Sequence, residues 1–179
     1  PAKAKAAEEC RALSEMARSL GQSHAIEPWD WRYYAEKVRA ARYGFDDAAL
    51  KPYFSLDRML AAAFDTAQRL FGIAFVERPE LRSYHPDVRA FEVRGRDGRP
   101  VGLFLSDNFA RPTKRGGAWM SAYRWQSKVG GDTLPIIVNN NNFASAPAGE
   151  PTLLSAEDVR TLFHEFGHGL HGLLSQVTF

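Results

Sequence analysis

One stretch limits the folds open to this chain more than any other: residues 161–174, TLFHEFGHGLHGLL, in which three histidines, one glutamate and three glycines interrupt an apolar helical pattern. Residues three or four apart share a helix face, because each residue advances the helix by about 100°. With His164 at zero, His168 falls at about 40° and His171 at about 340°, so the three imidazoles lie on one side. Leu162, Phe163, Phe166, Leu170, Leu173, Leu174 and Val177 fill an arc from about 160° to 280°, wide enough to be buried against a core. Glu165 stands beside the histidines, at about 100°. Ser155, followed three positions later by Asp158, has the form of a capping box and sets the helix at about 156–175.

The segment His164-Glu165-Phe166-Gly167-His168 has the H-E-x-x-H spacing, in which one helical turn brings two imidazoles to a single zinc ion and the intervening glutamate serves as general base. The bland alternative is a pair of satisfied core histidines beside a solvated carboxylate. Gly167, Gly169 and Gly172 argue against it, since each costs about 1 kcal/mol relative to alanine inside a helix. They imply close approach of a metal, a substrate or another backbone. The metzincin continuation fails, because position 171 is histidine and position 174 leucine. His171 is about 10.5 Å along the axis from His164, which makes it a structural or supporting residue rather than a ligand. Glu157 is equally distant on the other side, and Glu150 precedes the helix with no spacing argument. The candidate metal ligands are therefore His164 and His168, and the candidate catalytic residue is Glu165.

Composition is ordinary for a globular protein, with 45% hydrophobic and 25% charged residues in 179, consistent with one domain. A net charge of +2 is too small to argue for nucleic acid or an anionic membrane, and no apolar run reaches the 18 residues of a membrane span. The basic run RPTKR, with two glycines following and no interleaved aromatics, is a weak nucleic-acid patch. A lone Cys10 cannot form an internal disulfide, which fits a reducing compartment. The expected location is cytoplasmic, with the periplasm open because the chain starts at Pro1 and no signal peptide is visible.

Helices are expected at about 2–20, 29–43 and 55–71, each ended by glycine. Trp29 and Tyr33, near Glu36 and Lys37, are read as core aromatics of the second. Leu56, Leu60, Ala63, Phe64, Ala67, Leu70 and Phe71 form the apolar face of the third. The period then changes. RAFEVRG and PVGLFLSD, joined through Asp97-Gly98, read as a hairpin and PIIVNN as a further strand, giving a small sheet at about 73–140. The fold class is thus mainly α with a small antiparallel β-sheet (α+β). The run Asn139–Asn142 reads as a strand end and turn. PIIVNNNN is either an interior strand or one along which an extended substrate could be added. Arg111, Lys114 and Arg115 face solvent in preference to substrate carboxylates, and His85 is a structural hydrogen-bonder.

LFHEFGHGLHGLLSQV, together with EPWDWRYYAEKVRAARY, YHPDVRAFEV, GLFLSDNFARPTKRGGAWM and GEPTLLSAEDV, resembles the thimet oligopeptidase family of zinc metallopeptidases, above all its bacterial peptidyl-dipeptidase branch and then oligopeptidase A. The similarity runs from about Ala25 onward. It implies a partial zincin-type metallopeptidase catalytic domain from a largely helical, two-lobed enzyme with a deep channel. It further implies one Zn2+ held by His164 and His168, Glu165 as base and proton shuttle, and short peptides as substrates, with release of C-terminal dipeptides. The family's third zinc ligand is a glutamate on a later helix, and the residues that stabilise the oxyanion and capture the substrate carboxylate are also later. The resemblance therefore casts these residues as an internal segment whose partner is the C-terminal part of the parent enzyme. Alone, it is expected to be inactive and to self-associate. The competing reading of the residues is a non-catalytic metal-binding or partner-docking module, which zinc stoichiometry and peptide cleavage would separate from an enzyme.

Overall fold

A computed structural model describes residues 2–44 and 49–178. The chain packs as two compact units, residues 1–49 and 50–179. In the first, α1 (Ala2–Ser19) and α2 (Trp31–Tyr43) close on Leu13, Ala17 and Tyr34, with Met16, Ile26, Ala35 and Val38 around them. α2 ends where Gly44 takes φ of 57° and returns its N–H to the Ala40 carbonyl. Trp29 and Tyr33 are not core residues: they are 78% and 58% exposed, and the buried aromatic is Tyr34. The helix turns Tyr34 inward beside Leu13 and leaves its sequence neighbour about 100° away.

The second unit holds the helices α3 (Leu56–Phe71) and α4 (Ala156–Leu174) and a five-stranded sheet. The strands are β1 (Ala74–Glu77), β2 (Arg89–Arg94), β3 (Pro100–Phe109), β4 (Trp119–Arg124) and β5 (Ile136–Phe143), in the order β1-β2-β3-β5-β4. The β2–β3 turn forms at Asp97-Gly98, where Gly98 adopts φ of 75° and the Gly95 N–H bonds the Arg99 carbonyl at 2.9 Å. An α+β class is what the sequence implies, but the sheet is mixed rather than wholly antiparallel. β3 and β5 pair in parallel, Phe104 with Ile137 and Ser106 with Asn139, while the other pairs are antiparallel. The reason is topological. The chain reverses into β4 at the edge and reverses again into β5, so β5 returns in the direction of β3 and slots between β3 and β4.

α4 lies across one face of this sheet, and its capping box is formed as the sequence implies. The Ser155 Oγ accepts from the Asp158 N–H at 3.1 Å, and the Asp158 carboxylate accepts from the Ser155 N–H at 2.9 Å. Under the helix, Phe91, Phe104, Phe166, Ile137 and Leu173 form the main core, with Phe64 of α3 stacked on Phe75 at 4.2 Å. Phe104 meets Phe166 edge to face at 5.6 Å, an arrangement worth about 0.5–1.5 kcal/mol beyond the area it buries. A second cluster, Leu56, Leu60, Phe143, Leu154 and Leu162, anchors the start of α4 against α3. Leu70 and Phe71, at the end of the predicted α3 stripe, remain exposed. On the opposite face of the sheet, Val88, Ala90, Leu105 and Val138 make a smaller apolar layer.

Candidate metal centre

The cap fixes where α4 begins, and therefore which of its side chains face away from the sheet. His164 and His168 are exposed, one turn apart, and their Nε2 atoms stand 3.2 Å from each other. The rings are nearly perpendicular, 83° apart, with centroids 4.8 Å from each other. Two nitrogens 3.2 Å apart, each at the usual zinc–imidazole length of about 2.05 Å from one ion, subtend an angle of about 103° there, close to tetrahedral. The pair therefore fits zinc as the sequence spacing suggests. Among the described residues, no group of three or more His, Cys, Asp and Glu side chains is placed to hold a metal. His171 is exposed, Glu150 is exposed, and Glu157 is an exposed partner of Arg160 at 3.6 Å.

Glu165 differs from both readings the sequence offered. Where His164 and His168 are exposed, Glu165 is buried, with 8% of its surface exposed. The glycines around it divide. A Cβ on Gly169 would come within 3.0 Å of Asn139 Oδ1 and 3.3 Å of Phe104, and one on Gly172 within 2.8 Å of Ile137. These two let the helix settle onto β3 and β5. Gly167 meets nothing within 4 Å and leaves the ground beside the histidines bare.

The asparagine run is not a turn. Asn139, Asn140 and Asn141 are buried inside β5, and Asn142 donates to the carbonyls of Arg115 and Gly117 at 2.8 and 2.6 Å. β5 is an interior strand with β3 and β4 on its two sides, which rules out strand addition there. The free edge on that side of the sheet belongs to β4, a strand that also packs against α4.

Of the basic loop, Arg115 is exposed as expected, but Arg111 and Lys114 are not left to solvent. Arg111 donates in bidentate fashion to the Asp107 carboxylate at 2.7 and 2.6 Å, and Tyr84 Oη donates to it at 2.8 Å. The Lys114 side chain, 4% exposed, donates to Asp107 Oδ1, to the carbonyls of Asp107 and Phe109, and to that of Asn141. Burial pushes the Asp107 carboxyl up, but hydrogen bonds from Arg111, Tyr84 and Lys114 outweigh it and hold it below its ordinary value. Burial pushes Lys114 down more than Asp107 raises it. The Tyr84 hydroxyl is pushed up by burial and by Asp107. Arg115 lies over the Trp119 ring at 4.4 Å, and His85 accepts from the Asp87 N–H at 3.2 Å, a local structural role. Asp107, Asn139 and Asn141 escaped sequence reasoning. In SDN and NNNN the polar residues are consecutive and buried on both faces of their strands, so no alternation marks them.

The chain is 45% identical over 176 residues to the dipeptidyl carboxypeptidase of Escherichia coli, covering 98% of this chain and 26% of that protein. It is 49% identical over 153 residues to the enzyme of the same name from Salmonella typhimurium, with coverages of 85% and 22%. With oligopeptidase A of Escherichia coli it shares 38% over 154 residues, with coverages of 85% and 23%. The chain thus spans about a quarter of the length of these relatives. Residues 1–179 match peptidase family M3 along their whole length, and the chain belongs to that family.

Proposed function

We propose that these residues carry the metal-binding helix of a zinc peptidase that cleaves short peptides and releases C-terminal dipeptides. The observation that carries this reading is the 3.2 Å approach of the two imidazole nitrogens, at a spacing and angle suited to zinc, with an acidic residue between them in sequence. The names of the two dipeptidyl carboxypeptidases favour dipeptide release over general oligopeptide cleavage. His164 and His168 would hold the ion, and a third, acidic ligand would come from a part of the protein outside these 179 residues. When bound, zinc supplies a Lewis acid that polarises the scissile carbonyl and makes water a usable nucleophile near neutral pH. Glu165 would accept the proton of the attacking water as the new C–O bond forms and afterwards deliver it to the amine nitrogen as the C–N bond breaks. An extended substrate would align along the open side of β4, whose backbone groups are the ones available at that edge.

The test is made in the full-length enzyme. Glu165→Gln removes a base but no ligand, so zinc content stays at one per chain while kcat/KM falls by about 10²–10⁴. His164→Ala or His168→Ala instead lowers zinc content itself, because a site with one imidazole removed has lost one of its few anchors. Normal turnover by Glu165→Gln, or full zinc in either histidine variant, overturns the reading.

A further inference from the structure

On the face of the sheet away from α4 there is a cavity of about 400 Å³ whose lining includes Tyr84, Arg111, Lys114, Arg115, Trp119 and Tyr123. No acidic side chain lines it. Asp107 is the carboxylate bound to two of these cations, and it is spent on them: Arg111 and Lys114 both donate to it, as does Tyr84. Three cationic side chains thus stand against one carboxylate, and positive charge is left over. Arg115 carries it. That residue is exposed, its guanidinium lies over the Trp119 ring at 4.4 Å, and among the described residues no carboxylate pairs with it. A ring offers no acceptor oxygen, so the fork of N–H donors that matches a carboxylate remains unmatched.

The register of β4 says what would reach this cavity. Trp119 pairs with Asn140 and Ser121 with Val138, and Val138 belongs to the apolar layer on the face away from α4. Met120 and Ala122, between and beyond them, pack against the core under α4. Tyr123 is the extra residue where the pairing shifts between Ala122 and Arg124, and its ring meets Tyr84 at 5.8 Å. β4 is the edge of the sheet. A chain added to that edge sends its side chains alternately to the two faces, each to the side of the residue it stands opposite. Residues opposite Trp119 and Ser121 therefore project on the face that holds the cavity, and their neighbours project on the α4 face.

We propose that this cavity receives an acidic side chain of a peptide substrate lying along β4, with Arg115 pairing its carboxylate and the rings of Trp119 and Tyr123 covering its methylenes. The proposal rests on the reading of the protein as a peptidase whose substrate aligns on β4. It makes Arg115 a specificity residue, remote from the bond that breaks.

The test uses the full-length enzyme and internally quenched peptides that differ only by Glu, Gln or Lys at one position, scanned through successive positions. Because every peptide carries the same C-terminal carboxylate, that group cancels from the comparison. The expected result is a kcat/KM about threefold to tenfold higher for Glu than for Gln, at one position or at positions two apart, with the ratio shrinking as salt is raised. Arg115→Gln brings the ratio to about one, and Arg115→Glu inverts the order, so that the Lys peptide is cleaved faster than the Glu peptide. No preference for Glu at any position, or a preference that survives Arg115→Gln, overturns the proposal. So does a crystal structure of the full-length enzyme in which a carboxylate of its own chain already pairs with Arg115. Binding to the Glu165→Gln enzyme, followed by fluorescence polarisation, should show the same Glu-over-Gln ratio in Kd. If Glu165→Gln turns over normally, the peptidase reading has failed; if it is inactive and binds Glu and Gln peptides equally, only the site at Arg115 has failed.

Discussion

The two faces of the sheet carry two buried polar groups that differ in one respect. On the face away from α4, Asp107 is enclosed by Arg111, Lys114 and Tyr84, every oxygen is used, and the lysine ties together carbonyls of β3 and β5. On the face toward α4, Asn139 and Asn141 are buried with side-chain polar atoms left unpaired, while on the outer side of α4 two imidazoles stand together and, among the described residues, no group of three His, Cys, Asp or Glu is placed to hold a metal. The first cluster is complete within the chain. The second is complete only with something added. A buried polar group without its partner destabilises a fold, so the unpaired amides of Asn139 and Asn141 cost stability that the Asp107 cluster does not.

That contrast can be broken most directly at Asp107. Asp107→Ala leaves Arg111 and Lys114 partly or wholly buried without their counter-charge and should lower unfolding free energy by about 3–5 kcal/mol. Chemical denaturation followed by circular dichroism measures this. The same measurement on Glu165→Gln should show a change under about 1 kcal/mol, since no partner of that carboxylate is lost. Equal losses in the two variants would erase the distinction between a structural and a functional cluster.

Steric tests come next in size. Gly102 underlies α4, and a Cβ there would come within 2.9 Å of the Pro135 carbonyl and 3.0 Å of Leu173, so Gly102→Ala should destabilise by about 1–3 kcal/mol. Gly167, open beside the histidines, should behave oppositely: Gly167→Ala raises stability by about 0.5–1 kcal/mol through helix propensity. A loss at Gly167 would mean that its bare surface is already in use within the folded chain.

Acid sharpens the comparison further. Asp107 has its carboxyl held below the ordinary value of 3.8, so its stabilisation is fully present above that value and is lost as pH falls through the lower, folded one. Stability below pH 4 should therefore drop more steeply in the wild type than in Asp107→Asn, by at most about 1.4 kcal/mol per pH unit for one proton. Parallel acid limbs for the two proteins would show that Asp107 is not the group being protonated.

Much of this was legible in the residues because it depends on neighbours in sequence. The capping box at Ser155, the turn at Asp97-Gly98 and the one-turn approach of His164 and His168 are local geometry, fixed by helix and turn dimensions whatever surrounds them. The α+β class follows from the change of hydrophobic period between Leu56–Phe71 and the strands after it. Burial was less legible. A helical wheel puts Glu165 between the histidines and the apolar stripe, and Tyr33 and Tyr34 are equally aromatic; which of these is covered depends on the surface opposite.

Residue types and their short spacings thus determined the helices, the hairpin and the paired imidazoles, because those follow from bonds and hydrogen bonds a few residues long. Tertiary structure alone decided that β5 enters beside β3 in parallel, since nothing in a strand's own pattern names its neighbour. That insertion buries Asn139, Asn140 and Asn141 and seals Lys114 over Asp107. These contacts join residues more than twenty positions apart, and only a closed sheet with a helix laid across it brings such residues within reach of one another.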